Sequence, residues 1–419
     1  MEAYAGAVAG GARCLEISVG RTSDGVLICM HDASYDRTTT AKGVIADLPS
    51  TVLRGIRLSA PGLGPAWALP PQPQVPLLED VLRAFGSRVV LCIEAKNDRA
   101  YPELVAAVEV HGLRDSVIIK ASYDSKRIPE AKAAGYPVFA YFGSVADVTA
   151  DRITALTAGL DAHRDYLILP TGASDDLVRR AVATGIPTWI FPVHRRSQAS
   201  RFFALGCQGA VCSSLHYVST ATPTATADTW SFGAIAPGEM TKDPGSAAYS
   251  PTWSGADLQL GVQGAQHFLT LGQFGPLVHA RDTYSVDLQL RWTTLPADRS
   301  ENATLAFGHH DDAYYQHRSG LGSGYHAVLR ADGRLELYRH VDGRQDGVAL
   351  GTAARTAQPE PGQWVSLRLT VSPTSIGWTR LDGSAASVRT DDASVRGGYL
   401  HIGRSSTDGV LAFRGLRVR

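Results

Sequence analysis

Four side chains near the start of the chain have the chemistry needed to act on a phosphate ester. Glu16 lies in Cys-Leu-Glu-Ile-Ser-Val, His31 follows Val-Leu-Ile-Cys-Met, and Glu94 and Lys96 lie in Val-Val-Leu-Cys-Ile-Glu-Ala-Lys. Carboxylates bind hard divalent cations, which polarise phosphoryl oxygens. Histidine transfers protons near neutral pH, and lysine presents a compact positive charge to a phosphate. Together these residue types indicate a metal-assisted site for a phosphate ester.

A purely structural interpretation competes for each of these residues, because a Glu or His at a strand end is more often hydrogen-bonded or loop-facing than catalytic. The spacing of Glu94 and Lys96 gives the sharper signal. Residues two apart on a strand lie on the same face. Two charged groups in such an apolar run are costly to bury unless they serve a site.

The elements that must position these residues follow a strand–helix alternation up to about Tyr217. Ser174 is a good N-cap for one of the helices, and Gly185 closes it. The alternation predicts parallel strands covered by helices, and the number of repeats favours a TIM-type (β/α)8 barrel over an open doubly wound sheet. Strand ends at one face of such a barrel converge on the active site. The predicted strands are 14–19, 26–30, 89–93, 117–120, 137–142, 166–169, 187–193 and 209–212, with helices over 77–85, 102–110 and 175–183.

The pattern changes after the barrel, which we place at residues 1–218. Residues 219–228 form a Thr/Ala-rich linker, and residues 229–419 alternate apolar and polar positions between turn pairs such as Asp332-Gly333 and Asp408-Gly409. This pattern predicts an all-β jelly-roll sandwich. Trp292 and Trp364, at strand positions, are expected in its core. The predicted strands are 284–292, 324–330, 334–340, 364–371 and 399–403.

Composition excludes several classes of protein. The 40 basic and 40 acidic residues give a net charge of zero, which argues against nucleic-acid binding. No apolar run is long enough for a transmembrane helix. The first residues lack the regions of a signal peptide, which predicts a cytoplasmic protein. If the sequence instead starts late, a secreted or cell-surface location is expected.

Several motifs in the first half resemble those of the glycerophosphodiester phosphodiesterases. They are residues 3–19, Thr22-Ser-Asp-Gly-Val26, His31-Asp-Ala-Ser-Tyr-Asp-Arg-Thr-Thr39 with Gly43, Val75-Pro-Leu-Leu-Glu-Asp-Val-Leu82 and Ile93-Glu-Ala-Lys96. The resemblance covers about residues 1–217. It implies a TIM-type barrel that hydrolyses glycerophosphodiesters to glycerol 3-phosphate and an alcohol, usually with calcium or magnesium. By position, it makes Glu16 and Glu94 metal ligands, His31 one of two acid–base histidines and Lys96 a phosphate contact.

The chain departs from this family in several places. The first strand of the family, with its His-Arg-Gly, has no counterpart here, so the barrel is expected to lack that strand. The Glu-x-Asp metal pair of the family is Glu16-Ile-Ser18, which removes one anionic ligand. The Trp-Thr-Val-Asn of the family is matched by Phe191-Pro-Val-His194. Its Gly-Val-Asp-Gly-Ile-Ile-Thr-Asp is matched by Gly206-Cys-Gln-Gly-Ala-Val-Cys-Ser213, which has neither acid. His194, at a strand end, is a candidate for the missing histidine.

The second half resembles the concanavalin-like jelly rolls of the laminin-G and lectin type, in which a carbohydrate ligand is one expectation. The segment from His309 to Tyr315 could bind such a ligand or a cation, although a solvated polar loop is the favoured interpretation.

Two functions from different classes follow. The first is metal-dependent hydrolysis of a small-molecule glycerophosphodiester, or of another phospholipid-type diester by the same barrel. The alternative is a catalytically impaired barrel that serves as a scaffold beside a glycan-binding jelly roll.

Overall fold

The computed structural model describes residues 1–59, 72–212, 215–219, 252–255, 257–260, 266–273, 283–312, 323–341, 347–383, 385–405 and 408–419. The chain divides into two compact units. Of the described residues, the first unit holds 1–59, 72–193, 198–212 and 215–216, and the second holds 194–197 and those from 217 onward. The predicted linker lies outside the described residues except for Ser219. The predicted domain boundaries therefore stay predictions.

The first unit is built on one sheet with helices between its strands. The sheet order is β2-β1-β3-β4-β5-β6-β7-β8. The strands are β1 Cys14–Arg21, β2 Leu27–Cys29, β3 Val90–Ala95, β4 Val117–Ser122, β5 Val138–Tyr141, β6 Tyr166–Pro170, β7 Thr188–Val193 and β8 Gly209–Cys212. The helices are α1 Glu2–Ala9, α2 Ser50–Gly55, α3 Leu78–Phe85, α4 Ala100–Val110, α5 Arg127–Ala133, α6 Ala150–Thr157, α7 Asp175–Val182, α8 Arg196–Ala204 and α9 Leu215–Ser219.

Seven strands of this sheet, β1 and β3 to β8, run parallel, as the strand–helix alternation predicts. In the part of the chain that the structure describes, β8 pairs with β7 alone. The described parallel strands are one fewer than a (β/α)8 barrel contains, and the expected loss of the first strand stays a prediction. Closure into a TIM-type barrel stays a prediction.

The predicted parallel strand at 26–30 is wrong in direction. β2 pairs with β1 in antiparallel register, with Cys29 opposite Val19. The turn between them explains this, because the Thr22 N–H donates to the Val26 carbonyl at 3.0 Å and Gly25 adopts φ +84°. Asp24-Gly25 is the same hairpin signal that predicts turns in the second half of the chain.

The two faces of the sheet differ in what they bury. One face packs Leu15, Ile17 and Ile93 into a large apolar core with residues from α3 and α4. The other face carries a smaller apolar cluster that includes Cys92 and Phe139. Because side chains alternate along a strand, both clusters follow directly from the period-two pattern. The smaller cluster forms the floor beneath the candidate site.

The second unit consists of two antiparallel sheets. Their orders are β19-β18-β17-β12-β21-β10-β9 and β11-β20-β13-β14-β15-β16. The strands are β9 Thr252–Ser254, β10 Asp257–Leu260, β11 Gln266–Gln273, β12 Tyr284–Thr294, β13 Asn302–Gly308, β14 Gly324–Arg330, β15 Arg334–His340, β16 Val348–Arg355, β17 Val365–Val371, β18 Ile376–Arg380, β19 Ala386–Thr390, β20 Gly397–Ser405 and β21 Val410–Val418. One apolar core takes side chains from both sheets, which is the arrangement of a β-sandwich. The jelly-roll assignment stays a prediction.

The two predicted core tryptophans have different environments. Trp292 is 2% exposed and belongs to the core, as expected. Trp364 does not, and the prediction for it is wrong. It precedes β17, and its ring lies against the guanidinium groups of Arg291 at 4.6 Å and Arg414 at 3.9 Å. Cation–π contacts of this kind hold an aromatic ring at a partly solvated surface.

The described part of the predicted polar loop, His309 to Asp312, is not uniformly solvated. His309 and Asp312 are buried within the second unit. The Asp312 carboxylate accepts hydrogen bonds from the backbone N–H groups of Arg196 at 2.7 Å and Ser197 at 2.9 Å, and from the Tyr217 hydroxyl at 2.8 Å. These contacts satisfy the buried carboxylate internally. The remaining residues of that loop lie outside the described residues, and its carbohydrate ligand stays a prediction.

Within the described residues, no helix is both long enough and apolar enough to cross a membrane. The five cysteines are all free thiols, in agreement with the absence of paired spacing in the sequence.

Candidate active site

Two of the four predicted site residues, Glu16 and Glu94, meet at Lys120, a lysine that the sequence did not point to, and a third, Lys96, contacts Glu94. The Lys120 ammonium lies 2.9 Å from Glu16 Oε1 and 2.9 Å from Glu94 Oε2. Lys96 Nζ lies 3.0 Å from the same Glu94 Oε2. The Tyr141 hydroxyl donates to Glu94 Oε1 at 2.8 Å. We refer to Glu16, Glu94, Lys96 and Lys120 as the Glu–Lys cluster.

The register of the parallel strands places the cluster. Glu16 pairs with Cys92 and Ser18 with Glu94, so these four side chains share one face of β1 and β3. Lys120 lies on the same face of β4, two residues after Ile118, which pairs with Cys92. The floor of the site is therefore apolar and its upper layer is charged. Glu94 and Lys96 contact each other, which is consistent with the prediction that their spacing places both side chains on one face of the strand.

Burial and charge act against each other in this cluster. The Glu94 side chain is 8% exposed and that of Lys120 is 12% exposed. Burial by itself would raise the pKa of Glu94, but the ammonium groups of Lys120 and Lys96 outweigh it and hold that pKa below its ordinary value. Burial would likewise lower the pKa of Lys120, whereas Glu16 and Glu94 raise it above its ordinary value. Both partners are thus charged through the neutral range.

Tyr141 supports the buried carboxylate of Glu94 from a third side. Burial, and then the neighbouring Glu94 charge, raise the pKa of Tyr141 to about 12. The phenol therefore keeps its proton and remains a hydrogen-bond donor. Lys120 Nζ lies 4.6 Å from the centre of the Tyr141 ring, which adds a cation–π contact.

His31 lies apart from these contacts and has its own support. Its side chain is 66% exposed, and Nδ1 lies 2.7 Å from Asp32 Oδ1. Arg37 donates to both Asp32 oxygens, at 2.7 Å and 3.0 Å, and this pairing chiefly lowers the pKa of Asp32 to about 2. An ionised Asp32 accepts from the Nδ1–H of a neutral imidazole, which leaves Nε2 as the basic nitrogen. Among the described residues, no hydrogen bond joins His31 to the Glu–Lys cluster.

The arrangement does not fit the divalent cation that the family resemblance implies. Both predicted ligands, Glu16 and Glu94, already bind the Lys120 ammonium. The hydroxyl of Ser18, where the family has its third acid, is buried without a hydrogen-bond partner in the described part of the chain. Among the described residues, no group of three His, Cys, Asp or Glu side chains could hold a metal ion. The predicted calcium or magnesium finds no support in this geometry.

Lys120 and Tyr141 are the residues that sequence reasoning missed. Both lie in apolar runs that were correctly predicted as strands, β4 and β5. A lysine in the middle of such a run is the available signal, because a buried ammonium needs a carboxylate partner. His194 directly follows β7, at the strand end predicted for it, and its role stays a prediction.

Comparisons with known proteins point to one family for the first half of the chain. The profile described as the Glycerophosphoryl diester phosphodiesterase family matches residues 1–212. A glycerophosphodiester phosphodiesterase of Bacillus subtilis (strain 168) is 32% identical over 108 residues, which cover 24% of this chain and 36% of that protein. The chain thus spans little more than a third of that relative. The uncharacterized protein YqiK of the same organism is 27% identical over 216 residues, which cover 50% of this chain and 86% of YqiK.

Solved structures give similar matches. A putative glycerophosphoryl diester phosphodiesterase from Silicibacter pomeroyi is 18% identical, with a TM-score of 0.42, and the match covers 51% of this chain and 84% of that one. A phosphodiesterase from Oleispira antarctica, solved with its product sn-glycerol-3-phosphate, is 18% identical with a TM-score of 0.42, and the match covers 50% and 85%. Because the family profile matches 212 of 419 residues, this chain belongs to the glycerophosphoryl diester phosphodiesterase family, a family of hydrolases.

Proposed function

We propose that this chain hydrolyses a glycerophosphodiester to glycerol 3-phosphate and an alcohol. The observation that carries the proposal is the Glu–Lys cluster, which gathers one buried and three partly buried charges on one face of the sheet in the unit that matches the family. A group of buried, mutually paired charges is costly to keep for stability alone. Strongly perturbed groups of this kind concentrate at functional sites.

Lys96 is the proposed phosphate contact. Its side chain is 19% exposed, and among the described residues its one ion-pair partner is Glu94. An ammonium group has three N–H donors, so the others remain for the oxygens of a phosphodiester anion. The buried Ser18 hydroxyl, which lies on the same face as Glu94, is a further donor for such an anion.

His31 is the proposed acid–base residue. Its Nε2 accepts a proton from the attacking hydroxyl group while Nδ1–H stays bonded to Asp32. Asp32, fixed by Arg37, stabilises the imidazolium that forms. With water as the attacking group, its oxygen forms a P–O bond as the P–O bond to the alcohol breaks, and the imidazolium of His31 returns its proton to the departing alkoxide.

The direct test is hydrolysis of glycerophosphocholine by the full chain, with calcium, with magnesium and with chelator. We expect release of glycerol 3-phosphate, and a loss of about 10²- to 10⁴-fold in rate for His31→Ala. His163→Ala is the matched control, because His163 is an exposed histidine of the same unit. Wild-type rates in His31→Ala would contradict the role of His31. No turnover under any condition would favour the non-catalytic scaffold.

A further inference from the structure

We propose that the Lys120 ammonium takes the place of the divalent cation at this centre, so that Glu16 and Glu94 are held together by the chain itself. The inference rests on the proposed function, because the family resemblance is what leads one to expect a metal ion between these carboxylates. It concerns the described residues of the first unit alone.

Lys120 occupies the position that a cation bound to both glutamates would take. One oxygen of Glu16 and one oxygen of Glu94 both lie 2.9 Å from Lys120 Nζ. Calcium binds carboxylate oxygens at about 2.3–2.6 Å and magnesium at about 2.0–2.1 Å. An ion bound to both of these oxygens would therefore have to occupy the space that the ammonium group fills. Either the lysine or the cation can sit between the two carboxylates.

The charge balance of the Glu–Lys cluster also opposes a divalent cation. Two glutamates and two lysines give the Glu–Lys cluster a net charge of zero without any ion. A divalent ion would leave this buried group with two uncompensated positive charges. Repulsion from Lys120 and Lys96 opposes such binding, and it is only weakly screened where solvent is excluded. A substrate anion, in contrast, is attracted to the two ammonium groups.

Ser18 adds a hydrogen-bond donor that suits an anion. It pairs with Glu94 across β1 and β3, so its side chain lies on the same face. Ser18 is 8% exposed, and its hydroxyl has no hydrogen-bond partner among the described residues. A buried hydroxyl without a partner indicates a place where a bound group completes the site. Beside two ammonium groups, the group that a hydroxyl donor suits is an anion such as a phosphodiester.

The test is calcium binding by the full chain, measured by titration calorimetry after metal removal. Ser18→Asp restores the third acid and keeps Lys120, and Ser18→Asp combined with Lys120→Gln removes the ammonium as well. We expect the double variant to bind calcium at least about tenfold more tightly than Ser18→Asp, with a Kd at or below about 1 mM. Ser18→Asp combined with Lys126→Gln is the matched control, because Lys126 is 69% exposed, and it should bind as Ser18→Asp does.

Equal affinity in Ser18→Asp and its Lys120→Gln double variant, including no binding in either, would overturn the inference. If the double variant does not fold, the wild type and Glu94→Gln decide. Identical calcium isotherms for these two support the inference, and a wild-type site that Glu94→Gln abolishes overturns it.

Binding and turnover separate the inference from the proposed function. If Lys120 excludes calcium and the chain does not hydrolyse glycerophosphocholine, the proposed function is contradicted and the inference is supported. If hydrolysis requires calcium bound through Glu94, the proposed function is supported and the inference is contradicted. Hydrolysis that continues in chelator supports both.

Discussion

The two units bury polar side chains in opposite ways. In the first unit, the Glu–Lys cluster combines opposite charges within hydrogen-bonding distance of one another. In the second unit, His309, His326, His340 and His401 are buried in one group, with ring centres 5.1 Å apart for His309 and His401 and 3.9 Å apart for His326 and His340. One group keeps its charges by pairing them, and the other avoids charge.

The pKa shifts show the same contrast. In the Glu–Lys cluster, attraction between opposite charges outweighs burial at both Glu94 and Lys120. In the second unit, burial dominates and lowers the pKa of His309 to about 3, with neighbouring histidines adding to the effect. Burial also lowers the pKa of His326 and His401 well below the ordinary value. Paired charges can serve binding and catalysis, whereas neutral imidazoles pack as polar core residues.

The largest effect is expected from Lys120→Met. Removing the ammonium leaves Glu16 and Glu94 facing each other with Glu94 buried, so we expect a loss of about 3–5 kcal/mol in the free energy of unfolding. Urea denaturation measures it. Adding Glu94→Gln removes one of the two facing negative charges and should recover part of the loss. Lys126→Met, at an exposed lysine, should cost less than about 0.5 kcal/mol. A Lys120→Met protein as stable as the wild type would contradict the account of the cluster.

The second-largest effect is expected at acidic pH, which should lower the free energy of unfolding of the second unit. A histidine with a lowered folded pKa binds its proton in the unfolded chain first, so its contribution is present above about pH 6.5 and is lost as the pH falls toward about 3. At pH 5.5 the loss is about 1 kcal/mol for His309, and the lowered pKa values of His326 and His401 act in the same direction. Other charges that act on this group are His310 and Arg195.

Hydrogen exchange measures this loss by position. After correction for the intrinsic rate, protection of β14, β15 and β20 should fall between pH 7.5 and 5.5, while β3 and β4 keep theirs. An equal loss of protection in both sets of strands would contradict the contrast between the two units.

A smaller effect is expected where charge supports a proposed catalytic group. Asp32→Asn removes the anion that orients His31 and stabilises its charged form, so kcat/KM for glycerophosphocholine should fall about tenfold or more. Asp36→Asn, four residues further along the same loop, is the control. An unchanged kcat/KM in Asp32→Asn would contradict a positioning role.

The smallest effect is expected from an exposed ion pair of the first unit. Arg179 lies 3.2 Å from Asp176, and both side chains are more than half exposed. Arg179→Ala should change the free energy of unfolding by less than about 0.5 kcal/mol. A loss similar to that of Lys120→Met would show that burial is not what distinguishes the cluster.

The sequence predicts elements better than it predicts contacts. The spans of β14 and β15 agree with their predicted limits, and Ser174 caps α7 through a hydrogen bond from the Leu177 N–H, because these features depend on local pattern. The antiparallel direction of β2 differs from the prediction, because the Asp24-Gly25 turn between β1 and β2 forms a hairpin. Lys120 was missed for a different reason. Its partners are 26 and 104 residues away along the chain, and only strand register brings them together.

The central claim is that a lysine, not a divalent ion, lies between Glu16 and Glu94. The most direct measurement is a crystal structure of the full chain soaked in manganese, with anomalous scattering to locate the ion. The account predicts no anomalous peak between the two carboxylates and Lys120 Nζ within hydrogen-bonding distance of both. A manganese peak bound to Glu16 and Glu94, with Lys120 turned away, would contradict it.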